Sequence, residues 1–148
     1  MEILIKNQQK IVKINQRKIK EIIKKVLQHL KVDEKTEISV LFTDDKFIRS
    51  LNNKYRGIDK PTDVLSFSLQ EGAVKSPEVE SGKLLGDIII SVEIAQRQAD
   101  KLNHSREKEL TVLLIHGLLH LTGYDHEKDQ DYKIMQGKES EILKIFAL

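Results

Sequence analysis

The stretch from Glu107 to Leu121 constrains the fold more than any other part of the chain. Leu110, Val112, Leu113, Leu114, Ile115, Leu118, Leu119 and Leu121 keep helical spacing but occupy most of the circumference. A surface helix carries one apolar stripe, whereas a helix that is apolar all round has to be surrounded by other elements. Ser105 is placed to cap its start, with Lys108 where a capping box would carry Glu or Gln, and Gly123 is placed to end it. The rest of the chain must fold around this helix. With 148 residues and no linker, repeat or low-complexity block, one domain over 1–148 is expected.

The remaining segments supply the surroundings. Glu2–Lys6, Glu37–Phe42, Val64–Leu69 and Leu84–Ser91 read as strands, and the Ile-Ile-Ile run of the last predicts burial on both faces. Ile19, Ile22, Ile23, Val26, Leu27 and Leu30 mark an amphipathic helix with lysines on its other side. Asp44 or Asp45 caps a helix bearing Phe47, Ile48 and Leu51. Two more helices are expected, over Val92–Leu102 and Asp129–Phe146. Four strands and about five helices, with helical crossovers between some strands, predict a layered α/β (α+β) domain with a four-stranded mixed sheet. Gln70–Lys83 is long and polar, has no apolar period, and reads as a mobile surface flap.

Composition adds exclusions. Cysteine is absent, which removes disulfides and thiolate metal ligands. The amino terminus lacks a signal-peptide pattern, and no apolar stretch approaches the ~20 residues of a membrane span. A cytoplasmic protein with no membrane association is expected. The net charge of +2 hides an asymmetry, because residues 1–31 carry nine Lys/Arg against Glu2 and Glu21. Such a segment is either a solvated helix face or an anion-binding surface, and nucleic acid is the commonest large anion of a cytoplasm. Charge permits an RNA partner without establishing one.

The apolar helix also carries His116 and His120, at i and i+4, which stacks both imidazoles on one side, near enough to share an ion. His126 follows after the turn at Gly123, so three of the five histidines fall within eleven residues. A lone histidine on an apolar helix reads as a hydrogen-bonded core residue. Three at this spacing, without cysteine, form the ligand set of a catalytic zinc with an open fourth position. The spacing also matches the metzincin protease pattern H-E-x-x-H-x-x-G-x-x-H, except that Gly117 stands where the general-base glutamate belongs. That opposes proteolysis by the usual route. A glycine inside a helix costs about 1 kcal/mol relative to Ala, so Gly117 points to a close approach of backbone or substrate.

His116-Gly-Leu-Leu-His120-Leu-Thr-Gly123-Tyr-Asp-His126 resembles the H-G-x-L-H-L-x-G-Y-D-H motif of the YbeY family of bacterial rRNA-maturation factors. Asn52-Asn-Lys-Tyr-Arg56-Gly-Ile-Asp-Lys-Pro-Thr-Asp63-Val-Leu-Ser-Phe67 and Leu85-Gly86-Asp87-Ile-Ile-Ile-Ser91 are similar to two further motifs of that family, and Met135, Glu139 and Ile142-Leu143 extend the likeness. Ser68 departs from it where many members have proline. The resemblance implies a single-strand-specific, metal-dependent endoribonuclease acting in ribosomal RNA maturation, at the 3′ end of 16S rRNA, and in ribosome quality control. It implies one Zn2+ per chain on His116, His120 and His126, at the end of the central buried helix, and Arg56 as the essential cation. Single-stranded or ribosomal RNA is the implied partner, with the small ribosomal subunit as a further one. Zinc lowers the pKa of water to about 7, and a guanidinium can hold two phosphate oxygens at once, so the chemistry agrees. Asp125 and Glu139 are carboxylates able to orient a ligand histidine or a water; Asp63 and Asp87 read as serving strand ends and turns. A protease-like zinc hydrolase and a non-catalytic ribosome-assembly factor braced by its metal are the alternatives.

Overall fold

Asn15, Asp44, Ser91 and Ser105 each turn a side-chain oxygen onto the backbone N–H three residues ahead, and each starts a helix. The helices that follow are α1 (Gln16–His29), α2 (Asp45–Arg56), α3 (Val92–Lys101) and α4 (Arg106–Leu121). A fifth, α5 (Asp129–Leu143), starts without a side-chain cap but has Asp129 and Asp131 in its first turn, where the helix dipole favours acids. It passes into a short 3-10 turn over Lys144–Phe146, so the helix expected to run to Phe146 tightens in its last turn. The computed structural model describes residues 1–68, 84–124 and 128–146. The expected strand end at Leu69, the flap over Gln70–Lys83, and Asp125 and His126 lie outside these residues.

The strands are β1 (Glu2–Asn7), β2 (Glu37–Thr43), β3 (Val64–Ser68) and β4 (Leu84–Ser91). They form one mixed sheet in the order β1-β2-β4-β3, with β1, β2 and β4 parallel and β3 antiparallel at the edge. The α+β expectation holds in strand number, helix number and sheet type. Side chains alternate across this sheet. Ile88 and Ile90 enter the larger core with Phe42, Val40 and the buried faces of α1 and α4, while Ile89 enters a smaller cluster with Ile48 and Leu65 under α2. The Ile-Ile-Ile run is buried on both sides for that reason.

α4 sits at the centre of the larger core, packed by α1, α3, α5 and the β3–β4 half of the sheet. Leu114, Leu118 and Leu119 have no exposed surface. No helix among the described residues is long and apolar enough to cross a membrane.

Two glycines fix how closely α4 approaches the sheet. Leu85 is an extra residue in β4, since Glu37 lies opposite Leu84 and Ile38 opposite Gly86. Gly86 takes φ +148° at this bulge, and a Cβ there would lie 2.2 Å from the Phe67 carbonyl oxygen and 2.8 Å from Leu121 Cδ2. No other residue fits. A Cβ at Gly117 would meet three atoms of the Ile88 side chain at 3.0–3.2 Å. The close approach expected at Gly117 is therefore that of a side chain from β4, neither backbone nor substrate.

Candidate active site

The end of α4 is closed by a Schellman motif, in which Tyr124 N–H bonds the Leu119 carbonyl and Gly123 N–H bonds the His120 carbonyl. Gly123 takes φ +106°, a conformation side chains resist, and turns the chain away immediately after the second histidine. The two last turns of α4 thus present His116 and His120 together. Their rings meet edge to face, with centroids 4.6 Å apart, and Nε2 stands 3.1 Å from Nε2.

α5 returns past this pair. Its Glu139 carboxylate lies 2.5 Å from His116 Nδ1. An ionised carboxylate only accepts, so Nδ1 carries the proton and the Nε2 lone pair is left facing His120. The same geometry fits a shared metal: two nitrogens held ~2.05 Å from a tetrahedral zinc stand about 3.3 Å apart. A carboxylate on the outer nitrogen of a ligand histidine is the usual support for that role. Among the described residues no three His, Asp or Glu side chains gather into a metal-holding group, and the expected third histidine, His126, is not among them.

The other two histidines are engaged elsewhere. His104 Nε2 lies 2.6 Å from the buried Glu109 at the opposite end of α4, and His29 faces Glu141 at 3.8 Å. The His104–Glu109 pair escaped the sequence reading because neither residue belongs to a motif; Glu109 among the apolar residues of a surrounded helix was the available signal.

Arg56 is the last residue of α2, exposed, with no hydrogen bond or ion pair to another described residue. The structure does not bring it into contact with the histidine pair. A relay of contacts links the two regions instead. Tyr55, beside Arg56, packs on Phe67 of β3; the Phe67 carbonyl abuts Gly86; and Gly86 abuts Leu121, the residue after His120. Edge strand β3 stands between the two, with Phe67 on the α2 side of the sheet and α4 on the other.

The loop after Arg56 is firmly held. Gly57 closes α2 at φ +69°, Asn52 Nδ2 donates to the Lys60 carbonyl at 2.8 Å, and Arg49 clamps both oxygens of Asp59 at 2.8 and 3.1 Å. The guanidinium, by hydrogen bonding first and charge second, holds the Asp59 carboxyl below the ordinary carboxylate range. Asp63 accepts from Val64 N–H at the start of β3, the strand-end role expected of it, whereas Asp87, expected at a strand end or turn, lies in the middle of β4 and accepts from Ser39 Oγ of β2. On the basic helix α1, Lys18 pairs with Glu107 and Lys25 lies over the Phe146 ring, while Arg17, Lys20 and Lys24 line a shallow groove beside Met1 and Ile3.

Comparison with known proteins places this geometry. The sequence profile of the family described as Endoribonuclease YbeY matches residues 4–147. The chain is 44% identical over 147 residues to the Endoribonuclease YbeY of Desulforamulus reducens, covering 97% of this chain and 96% of that relative. It is 48% identical over 110 residues to that of Pelotomaculum thermopropionicum, covering 74% and 72%. A solution structure of a Thermotoga maritima protein superposes with a TM-score of 0.62 at 30% identity, over 96% of this chain and 87% of that one. A match along nearly the whole length, on the same fold, settles the assignment: the chain belongs to the Endoribonuclease YbeY family.

Proposed function

We propose that this protein is a metal-dependent endoribonuclease that hydrolyses phosphodiester bonds in single-stranded RNA, with ribosomal RNA as its substrate. The observation that carries the reading is the Nε2–Nε2 approach of His116 and His120, with Glu139 on the outer nitrogen of His116, in a chain of this family. His116, His120 and His126 would hold one Zn2+. When bound, such an ion supplies Lewis-acid charge beside the scissile phosphate and acidifies water. Glu139 keeps His116 in the tautomer whose Nε2 faces the site, and Asp125 is placed in sequence to do the same for its neighbour His126. Arg56 holds two oxygens of the phosphate as charge builds on it, a task suited to a planar fork that is always charged. The setting we assign is the cytoplasm, in maturation of the 3′ end of 16S rRNA and in ribosome quality control, with the small ribosomal subunit as partner.

The protease alternative loses support from position 117, which faces Ile88, so a carboxylate introduced there would enter the core. Incubating the purified protein with labelled single-stranded RNA and with casein, with and without a chelator, tests the proposal. RNA cleavage that stops on chelation and in His120→Ala, with casein intact, is expected. Chelator-sensitive casein cleavage, or RNA cleavage that survives loss of His120, would overturn it.

A further inference from the structure

Tyr55 keeps 58% of its surface exposed, although it lies in the last turn of α2 directly beside Arg56. Its ring meets that of Phe67 at 5.2 Å between centroids and 61° between planes, and Lys54 Nζ sits 5.3 Å from its centroid. Phe67 packs on the cluster beneath α2, whose buried members are Ile48, Leu65 and Ile89, so Tyr55 is not needed to seal that core. An aromatic ring left mostly in water contributes little to folding through burial. Its backbone is nevertheless fixed, by Gly57 behind it and by the Asn52 and Arg49 contacts that hold the following loop.

The exposed charges of the turn that carries the ring are mostly positive, and the Asp87 carboxylate opposite Phe67 on β4 is occupied by Ser39 Oγ. Lys54, Arg56 and Lys60 are exposed and have no ion pair with a described residue, whereas the one acid among them, Asp59, is occupied by Arg49. A rigid exposed ring inside a positive rim is how proteins bind single strands: the π-face takes a base and the cations take its phosphates. The exposure of Tyr55 makes its ring accessible, and the lysine that lies over it is flexible enough to move onto a phosphate. In a duplex the same base is stacked on its neighbours, and its face is not available.

Resting on the nuclease reading above, we propose that Tyr55, backed by Phe67, is a stacking platform for one unpaired base of the RNA substrate, next to the phosphate held by Arg56. The platform fixes the register of the strand and makes the enzyme depend on single-strandedness at that nucleotide.

The test combines enzyme and substrate changes. Tyr55→Leu keeps an apolar side chain without a π-face, while Tyr55→Phe and Tyr55→Trp keep the face; melting temperatures confirm that all three fold. Steady-state cleavage is measured on single-stranded RNAs carrying one abasic nucleotide at each position in turn. With the wild type, one abasic position should lower kcat/KM about ten- to a hundredfold, mostly through KM. Tyr55→Leu should show the same loss on intact RNA and no further loss at that position, with Phe and Trp near wild type. 2-Aminopurine at that position should be quenched on binding to wild type, and not to Tyr55→Leu or when the RNA is paired. Wild-type kcat/KM in Tyr55→Leu, or equal sensitivity of both proteins to every abasic position, would overturn the platform. Absence of RNA cleavage by the wild type would instead overturn the nuclease reading, and the quench would then decide the platform alone.

Discussion

Glu139 lies against Nδ1 of His116 and leaves Nε2 facing His120, and it does so from a helix whose own sequence has no strong pattern. Glu139→Ala should weaken zinc binding by about 10–100-fold, with Glu139→Gln less affected because its amide oxygen still accepts from Nδ1–H. Competition against a chelator of known affinity measures this, and equal affinities would show that His116 needs no such partner. Gly117 makes a different kind of statement. Replacing it with Ala removes a helix penalty of about 1 kcal/mol but pushes a methyl group into the fully buried Ile88, and overpacking costs typically 1–3 kcal/mol. The net expectation is a loss of about 1 kcal/mol, read by denaturant unfolding. Ile88→Val, which deletes the atom 3.0 Å from the new methyl, should recover part of it in a double-mutant cycle.

At the scale of elements, the turn after α4 redirects the chain directly after the second histidine. Open space surrounds the position a Cβ would take at Gly123, so Gly123→Ala tests backbone conformation alone. At φ +106° it should cost roughly 1–3 kcal/mol and also weaken metal binding, since His126 follows the turn. Unfolding and metal titration of the same variant check both; a stability loss with unchanged affinity would separate the turn from the ligands. The helices were legible because their signals are local. Caps act over three residues, and the i, i+4 histidines share a face whatever else the chain does. The contact of Glu139 with His116 spans 23 residues and depends on how α5 packs, so its sequence position could only make it a candidate. The bulge at Gly86 and the role of Gly117 were illegible for the same reason: each is set by a neighbour in the sheet. Arg56 is the last residue of its helix, because the αL turn falls on Gly57.

For the whole molecule, the decisive point is that the core does not run through the histidines. The larger cluster is made of apolar side chains from α1, α4, α5 and the sheet, and His116 and His120 stand half-buried at its margin. Removing metal should therefore abolish RNA cleavage but leave a cooperatively folded protein. Restoring the ion at 100 times its Kd should return about 2.7 kcal/mol. Circular dichroism melts with and without chelator measure this; collapse of the fold on chelation would favour a bracing metal over a catalytic one.

The sheet order carries a consequence for how the chain is made. β4 lies between β2 and β3, yet it is the last strand to be synthesised, and the helix that fills the core follows it. Until Leu84–Ser91 has left the ribosome, β3 has no neighbour to pair with and β2 has only β1. At about 5–20 residues per second, the nascent chain then waits some seconds more for α4. Through that interval the apolar faces of α1 and β2 lack the helix that completes their burial, so this small fold closes late in translation.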